Sequence, residues 1–130
     1  MRAAYDYDTP VPTVETTAHR GRMPASFSWL NVSAPNVVIS AIKKSEVGND
    51  LIVRLYETAG RPAHVRLNIG FPVVWAKECN GLERPLKHGR RIVATAHSLL
   101  FTVKPHDIVT LRIGIRGGFT KARLSAIALR

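Results

Sequence analysis

The alternation of apolar and polar residues constrains this chain most. Val65, Leu67 and Ile69 alternate with His64, Arg66 and Asn68, and Leu51, Val53 and Leu55 alternate with Ile52, Arg54 and Tyr56. A two-residue period puts one set of side chains on a buried face and the other on a wet one, as in a half-buried β-strand. No long segment carries apolar residues at helical spacing, so the chain must bury its apolar faces sheet against sheet.

The runs follow one another from Phe27 onward. Val37 to Lys43 is the first clear strand, and the turn through Gly48-Asn49-Asp50 joins it to Leu51–Glu57 as a hairpin. Thr58 to Pro62 is a turn, the His64–Ile69 run follows, and Gly70-Phe71-Pro72 ends it. Val73 to Cys79 comes next, closed by Asn80-Gly81, two residues that tolerate positive φ. Arg91–Ala96, Leu99–Lys104 and Ile108–Ile115 complete the series, with Pro105 breaking the chain before the last. This pattern predicts an all-β fold, an antiparallel β-sandwich of about seven strands. The expected organisation is an extended lead-in over 1–26, rich in Pro10, Pro12 and Pro24, a sandwich domain over 27–116 and a basic tail over 117–130. The tail sequence fits a short helix or an extended segment equally well.

Composition narrows the function. The 130 residues suit one domain with its own core. The single cysteine, Cys79, excludes an internal disulfide and fits a reducing compartment. It lies in a strand-like run with no neighbouring histidine, which favours a packed thiol over a nucleophile. Nothing at the N-terminus reads as a signal peptide and no apolar stretch is long enough to cross a bilayer, so the expected location is cytoplasmic, with no membrane partner. The formal charge of +10 is uneven: Arg116, Lys121, Arg123 and Arg130 follow Ile115 without an acid among them. Aromatic residues are too sparsely interleaved with the basic ones to make a stacking platform, so no nucleic-acid partner is expected.

Candidate sites are few. The five histidines, His19, His64, His88, His97 and His106, show no close ligand spacing on one element, and surface or loop positions are expected for them. His64 should face solvent. Glu78 and Glu83 flank one turn, where ion-paired surface groups are favoured over an acid–base pair. Lys43, Lys44, Arg54, Tyr56 and Glu57 form the one cluster worth singling out, as a structural or docking group. Arg54 and Tyr56 share a strand face, and Glu57 is expected to reach Lys43 or Lys44 across the hairpin. Trp29, Trp75, Tyr56 and Phe71 are read as packing residues ahead of a sugar-stacking surface. No catalytic, cofactor-binding or metal-binding residues are assigned.

Several motifs, taken in order, resemble the C-terminal region of the glycoside hydrolase family 38 α-mannosidases. They are Tyr5-Asp6-Tyr7-Asp8-Thr9-Pro10, Phe27-Ser28-Trp29-Leu30, Asn36-Val37-Val38-Ile39, the hairpin ending in Arg54-Leu55-Tyr56-Glu57, Glu78-Cys79-Asn80-Gly81-Leu82-Glu83 and Val103-Lys104-Pro105-His106-Asp107-Ile108. His106 stands where the family usually has Phe, Asp107 where it has Glu, and the basic tail has no counterpart. The resemblance implies a β-sandwich without catalytic machinery. The zinc ligands and nucleophilic Asp of that family sit in an N-terminal α/β domain that nothing here matches, so zinc is expected there and no cofactor in this chain. The implied role is a non-catalytic accessory domain that supports or docks on an α-mannosidase catalytic domain, in the same or a separate polypeptide, or self-associates through its exposed docking face. A free-standing carbohydrate-binding module is the alternative.

Overall fold

A computed structural model describes Thr13, Glu15, Thr17, Ala18, Arg20 and residues 24–118. Most of the expected lead-in, and the tail beyond Gly118, lie outside the described residues. Eight strands are present and no helix among the described residues: β1 (Leu30–Val32), β2 (Val37–Lys44), β3 (Leu51–Glu57), β4 (Ala63–Ile69), β5 (Val73–Cys79), β6 (Val93–Ala94), β7 (Ser98–Val103) and β8 (Ile108–Ile115). They form two four-stranded antiparallel sheets, ordered β1-β4-β7-β6 and β2-β3-β8-β5. The expected β-sandwich is therefore what the chain forms, with the short strand Leu30–Val32 added to the runs read from sequence. That strand is too brief to show a period of two, and it is defined only by pairing Leu30 with Ile69 and Val32 with Leu67.

Alternation builds the core as the sequence implies. Leu51, Val53 and Leu55 of β3 are sealed, as are Val65 and Leu67 of β4, Leu99 and Val103 of β7, and Val109, Leu111 and Ile113 of β8. Burial of one such side chain stabilises the fold by about 1.5–3 kcal/mol. The β2–β3 hairpin turns at Gly48, whose φ of +90° suits glycine. Ser45 closes the turn: its N–H donates to the Asp50 carbonyl, and its Oγ accepts from the Asp50 N–H.

The turn after β5 is built differently from expectation. Neither Asn80 nor Gly81 takes a positive φ; Glu83 does, at +61°. The Asn80 Oδ1 accepts the N–H groups of Leu82 and Arg84, which shapes the turn by side-chain capping and moves the left-handed residue three places on.

Candidate functional site

The interior face of each sheet is committed to the core, so function must lie on the outer faces, the edges and the loops. Cross-strand partners share a face. Lys43, Ile52, Arg112 and Lys77 make one row across the outer face of the β2-β3-β8-β5 sheet, Arg54, Thr110 and Cys79 a second, and Val38, Tyr56 and Ile108 a third. Trp75 pairs with Gly114 at the far end.

Ile52, Cys79 and Thr110 are buried although they lie on this outer side. The loop after β5 covers them. It leaves one edge strand, passes Gly81 beside Arg54, and reaches the opposite edge strand, where Glu83 bonds Lys43 at 2.8 Å and accepts the Glu46 N–H at 2.8 Å. Lys43 also pairs with Glu46. Burial opposes the Glu83 charge, but the hydrogen bonds from Lys43 and the Glu46 amide hold its carboxyl below the usual range. Hydrogen bonds from Glu46 and Glu83 raise the Lys43 ammonium. The Cys79 thiol donates weakly to the Thr110 carbonyl, and burial pushes its pKa up, which fits a packed and unreactive thiol.

The expected Glu57 contact with Lys43 or Lys44 does not form. Antiparallel register sets Lys43 opposite Ile52 and Lys44 opposite Leu51, beside the hairpin turn, while Glu57 pairs with Val37 at the other end. Glu57 lies five positions beyond Ile52 along β3, about 17 Å of strand. Glu57 instead accepts four hydrogen bonds, from the Asn36 amide (2.8 Å) and the backbone N–H groups of Ala59 (2.7 Å), Gly60 (2.8 Å) and His106 (2.9 Å). Burial works against its charge, but these donors outweigh it and hold the carboxyl at about 2. Arg54 and Tyr56 do share the outer face, with Arg54 Nε donating to Thr110 Oγ1 at 3.1 Å.

Glu78 and Glu83 do not converge either. Glu78 faces Arg90, whose guanidinium donates to Glu78 (2.6 Å), to Asp107 (3.0 Å) and to the Thr102 carbonyl of β7 (2.6 Å). One arginine thus bolts β5 of one sheet to β7 of the other. Burial disfavours both charges, yet pairing prevails, so Glu78 sits below the usual carboxylate range and Arg90 above its ordinary value. Nothing in the sequence distinguishes Arg90 from its neighbour Arg91, and the reading from sequence missed this bolt.

The aromatic residues pack, as expected. Trp29 stacks on Phe71 at 4.7 Å and meets Phe27 edge-on at 4.9 Å. Trp75 lies so close over Gly114 that a Cβ there would stand 2.2 Å from the indole nitrogen. A glycine inside an apolar strand is the sequence signal for such an approach. His64 is exposed, as expected, and shares its Nδ1 with Thr102 Oγ1 at 3.3 Å. Among the described residues, no three His, Cys, Asp or Glu side chains come together in a way that could hold a metal ion. No described helix is long and apolar enough to cross a membrane.

The exposed large apolar residues are unevenly placed. Trp75 and Ile108 lie on the outer side of the β2-β3-β8-β5 sheet, six β8 positions apart by register, with Leu82 on the loop that crosses it and Val47 at the hairpin tip beside Arg112, while Phe27, Ile42, Val74 and Leu86 are exposed elsewhere. Among the described residues, Val93 is exposed on the outside of the other sheet.

Comparison with known proteins agrees with this architecture. The family model described as "Glycosyl hydrolases family 38 C-terminal beta sandwich domain" matches residues 36–111, from the entry into β2 to the middle of β8. The chain is also similar to the Homo sapiens protein "Alpha-mannosidase 2C1", with 30% identity over 114 residues. That alignment covers 85% of this chain but 11% of the human protein.

Proposed function

The chain belongs to the family of glycosyl hydrolases family 38 C-terminal β-sandwich domains, and from that premise we propose that it is a non-catalytic accessory domain that docks on the catalytic part of an α-mannosidase. The observation that carries this reading is the exposure of Val47, Trp75, Leu82 and Ile108, spread along one outer side around Lys43, Arg54 and Tyr56. A sandwich with a sealed core has no internal use for large apolar side chains exposed along one outer side, and apolar surface left exposed by a domain marks a partner site. The chain spans 11% of its human relative, which leaves ample polypeptide to supply that partner.

The state of the carboxylates supports a role without chemistry. Retaining glycoside hydrolysis needs two carboxyl groups about 5–5.5 Å apart and available to substrate. Glu46, Asp50, Glu57, Glu78, Glu83 and Asp107 are each engaged by this domain's own cations or amides. Mannose processing, a cytoplasmic setting and zinc then belong to the whole enzyme in this reading. In isolation, the same apolar face leads to self-association, and the catalytic part competes with it.

The test is co-expression with a fragment of the human relative that lacks its matching region. The chain should co-purify with that fragment, and Ile108→Asp or Trp75→Asp should abolish capture while leaving the sandwich folded by circular dichroism. Failure of the unaltered chain to bind, or turnover of an aryl mannoside by the chain alone, overturns the reading. Trp29 and Trp75 each have a ring face occupied by packing, and this weighs against the alternative of a glycan-stacking module.

A further inference from the structure

We propose that the outer face of the β1-β4-β7-β6 sheet is a binding site for a tetrahedral oxyanion ester, a phosphate or sulfate group carried on a small polar body. The site lies on the opposite side of the sandwich from the docking face and stands independently of it.

A groove of about 550 Å³ runs across this sheet, within the size range of small-ligand sites. Strand register orders its lining. Leu100 of β7 sits between Arg66 of β4 and Val93 of β6. In the next row Thr102 sits beside His64, to which its hydroxyl is bonded. Arg91 precedes Val93 by two residues and also lines the groove. The floor is therefore a half-buried leucine and a threonine, with guanidinium-bearing side chains on either side. Strands lie about 4.8 Å apart, so Arg66 and Val93 start about two strand spacings from each other, and Arg91 lies two residues before Val93. Arginine side chains extending from those positions reach a common ligand over Leu100.

The charge of this groove is concentrated: two arginines line one cavity without a carboxylate. Three cations elsewhere are neutralised at home: Lys43 by Glu46 and Glu83, Arg90 by Glu78 and Asp107, and Arg112 by Asp50. Neither Arg66 nor Arg91 takes part in a salt bridge among the described residues, and no carboxylate lines the groove. Planar guanidinium forks match the oxygens of a tetrahedral oxyanion two at a time. Ser33 fixes one side of the site, since its Oγ accepts the Arg66 N–H at 3.0 Å and its own N–H donates to the Arg66 carbonyl at 3.0 Å. The apolar floor gives the body of the ligand a surface to lie on, and the oxyanion gives it an anchor.

The experiment is an amide-resolved NMR titration of the full chain with glucose 6-phosphate, glucose 6-sulfate, inorganic phosphate and glucose. Saturable shifts confined to Ser33, Arg66 and Leu100–Thr102 are expected with the esters. Arg66→Gln and Arg91→Gln should each weaken binding at least tenfold, and Arg84→Gln, on the loop over the other sheet, should leave it unchanged. Response to both esters assigns the site to the shared oxyanion, and response to one alone identifies its source. Inorganic phosphate binding at the same residues supports the anchor. Equal shifts with glucose, unsaturable shifts spread over Arg84 and Lys104, or full binding by both arginine variants overturns the proposal.

Discussion

Glu57 ends β3 at the point where the chain leaves one sheet for the other, and its carboxylate collects donors from both crossings. Ala59 and Gly60 belong to the β3–β4 connection, and His106 to the β7–β8 connection. His106 sits at a φ of +56° with its ring against Gly60, where an added Cβ would come within 2.8 Å of Nε2. Gly60 itself has a φ of +67°, so Gly60→Ala is expected to destabilise the domain by both strain and clash, seen as a lowered Tm. The depressed pKa of Glu57 gives a signed pH dependence. Because the folded form holds the proton less tightly than the unfolded chain, its contribution is complete above the ordinary value of 4.5 and disappears as pH falls toward about 2. Urea titrations should show stability falling across that window, and Glu57→Gln should lower stability at neutral pH and flatten the fall. An equally steep profile in the variant would mean that Glu57 is not the titrating group.

At the scale of elements, a loop and a single arginine do work that regular pairing does not. The crossing of residues 80–83 over the outer face hides Cys79, and Glu83 is its tether to Lys43 and Glu46. Glu83→Ala should release that loop and speed reaction of Cys79 with an aromatic disulfide reagent, while the untethered thiol pKa drops toward its ordinary value. No change in rate would mean that the loop stays closed without its anchor. Arg90 fastens β5 to β7 and to the turn before β8. Arg90→Ala leaves two carboxylates half-buried without their cation, and a loss of about 1.5–3 kcal/mol in denaturant unfolding is expected. A loss below about 1 kcal/mol would place the sheet-to-sheet connection elsewhere.

These elements also separate what the sequence reveals from what it conceals. Alternation in Val65-Leu67-Ile69 and Leu51-Val53-Leu55 reports burial directly, because side-chain period and sheet geometry are one property. The hairpin at Ser45–Asp50 is equally legible from its glycine and its flanking runs. Residues that act across the fold are not. Glu57 lies near Lys43 in sequence, but antiparallel pairing puts the two at opposite ends of the hairpin, and its true donors are up to 49 positions away. Arg90 meets Glu78 and Asp107 only because β5 and β8 are neighbours in one sheet. Gly114 carried a legible hint, since a strand glycine signals close approach, and Trp75 is what approaches.

The whole molecule presents two unlike outer faces on a shared core. One carries the exposed Trp75, Leu82 and Ile108 with Lys43 and Arg112 already paired. The other carries an open groove between Arg66 and Arg91. In the function proposed above, the first is the meeting place with the rest of an α-mannosidase. The measurement that tests this most directly is hydrogen exchange on the chain, free and bound to the human relative's fragment lacking the matching region. The account predicts slowed exchange in β5 around Trp75, in residues 80–83 and at the start of β8 near Ile108, with β4 and β7 unchanged. Protection confined to β4 and β7, or none at all, would contradict it.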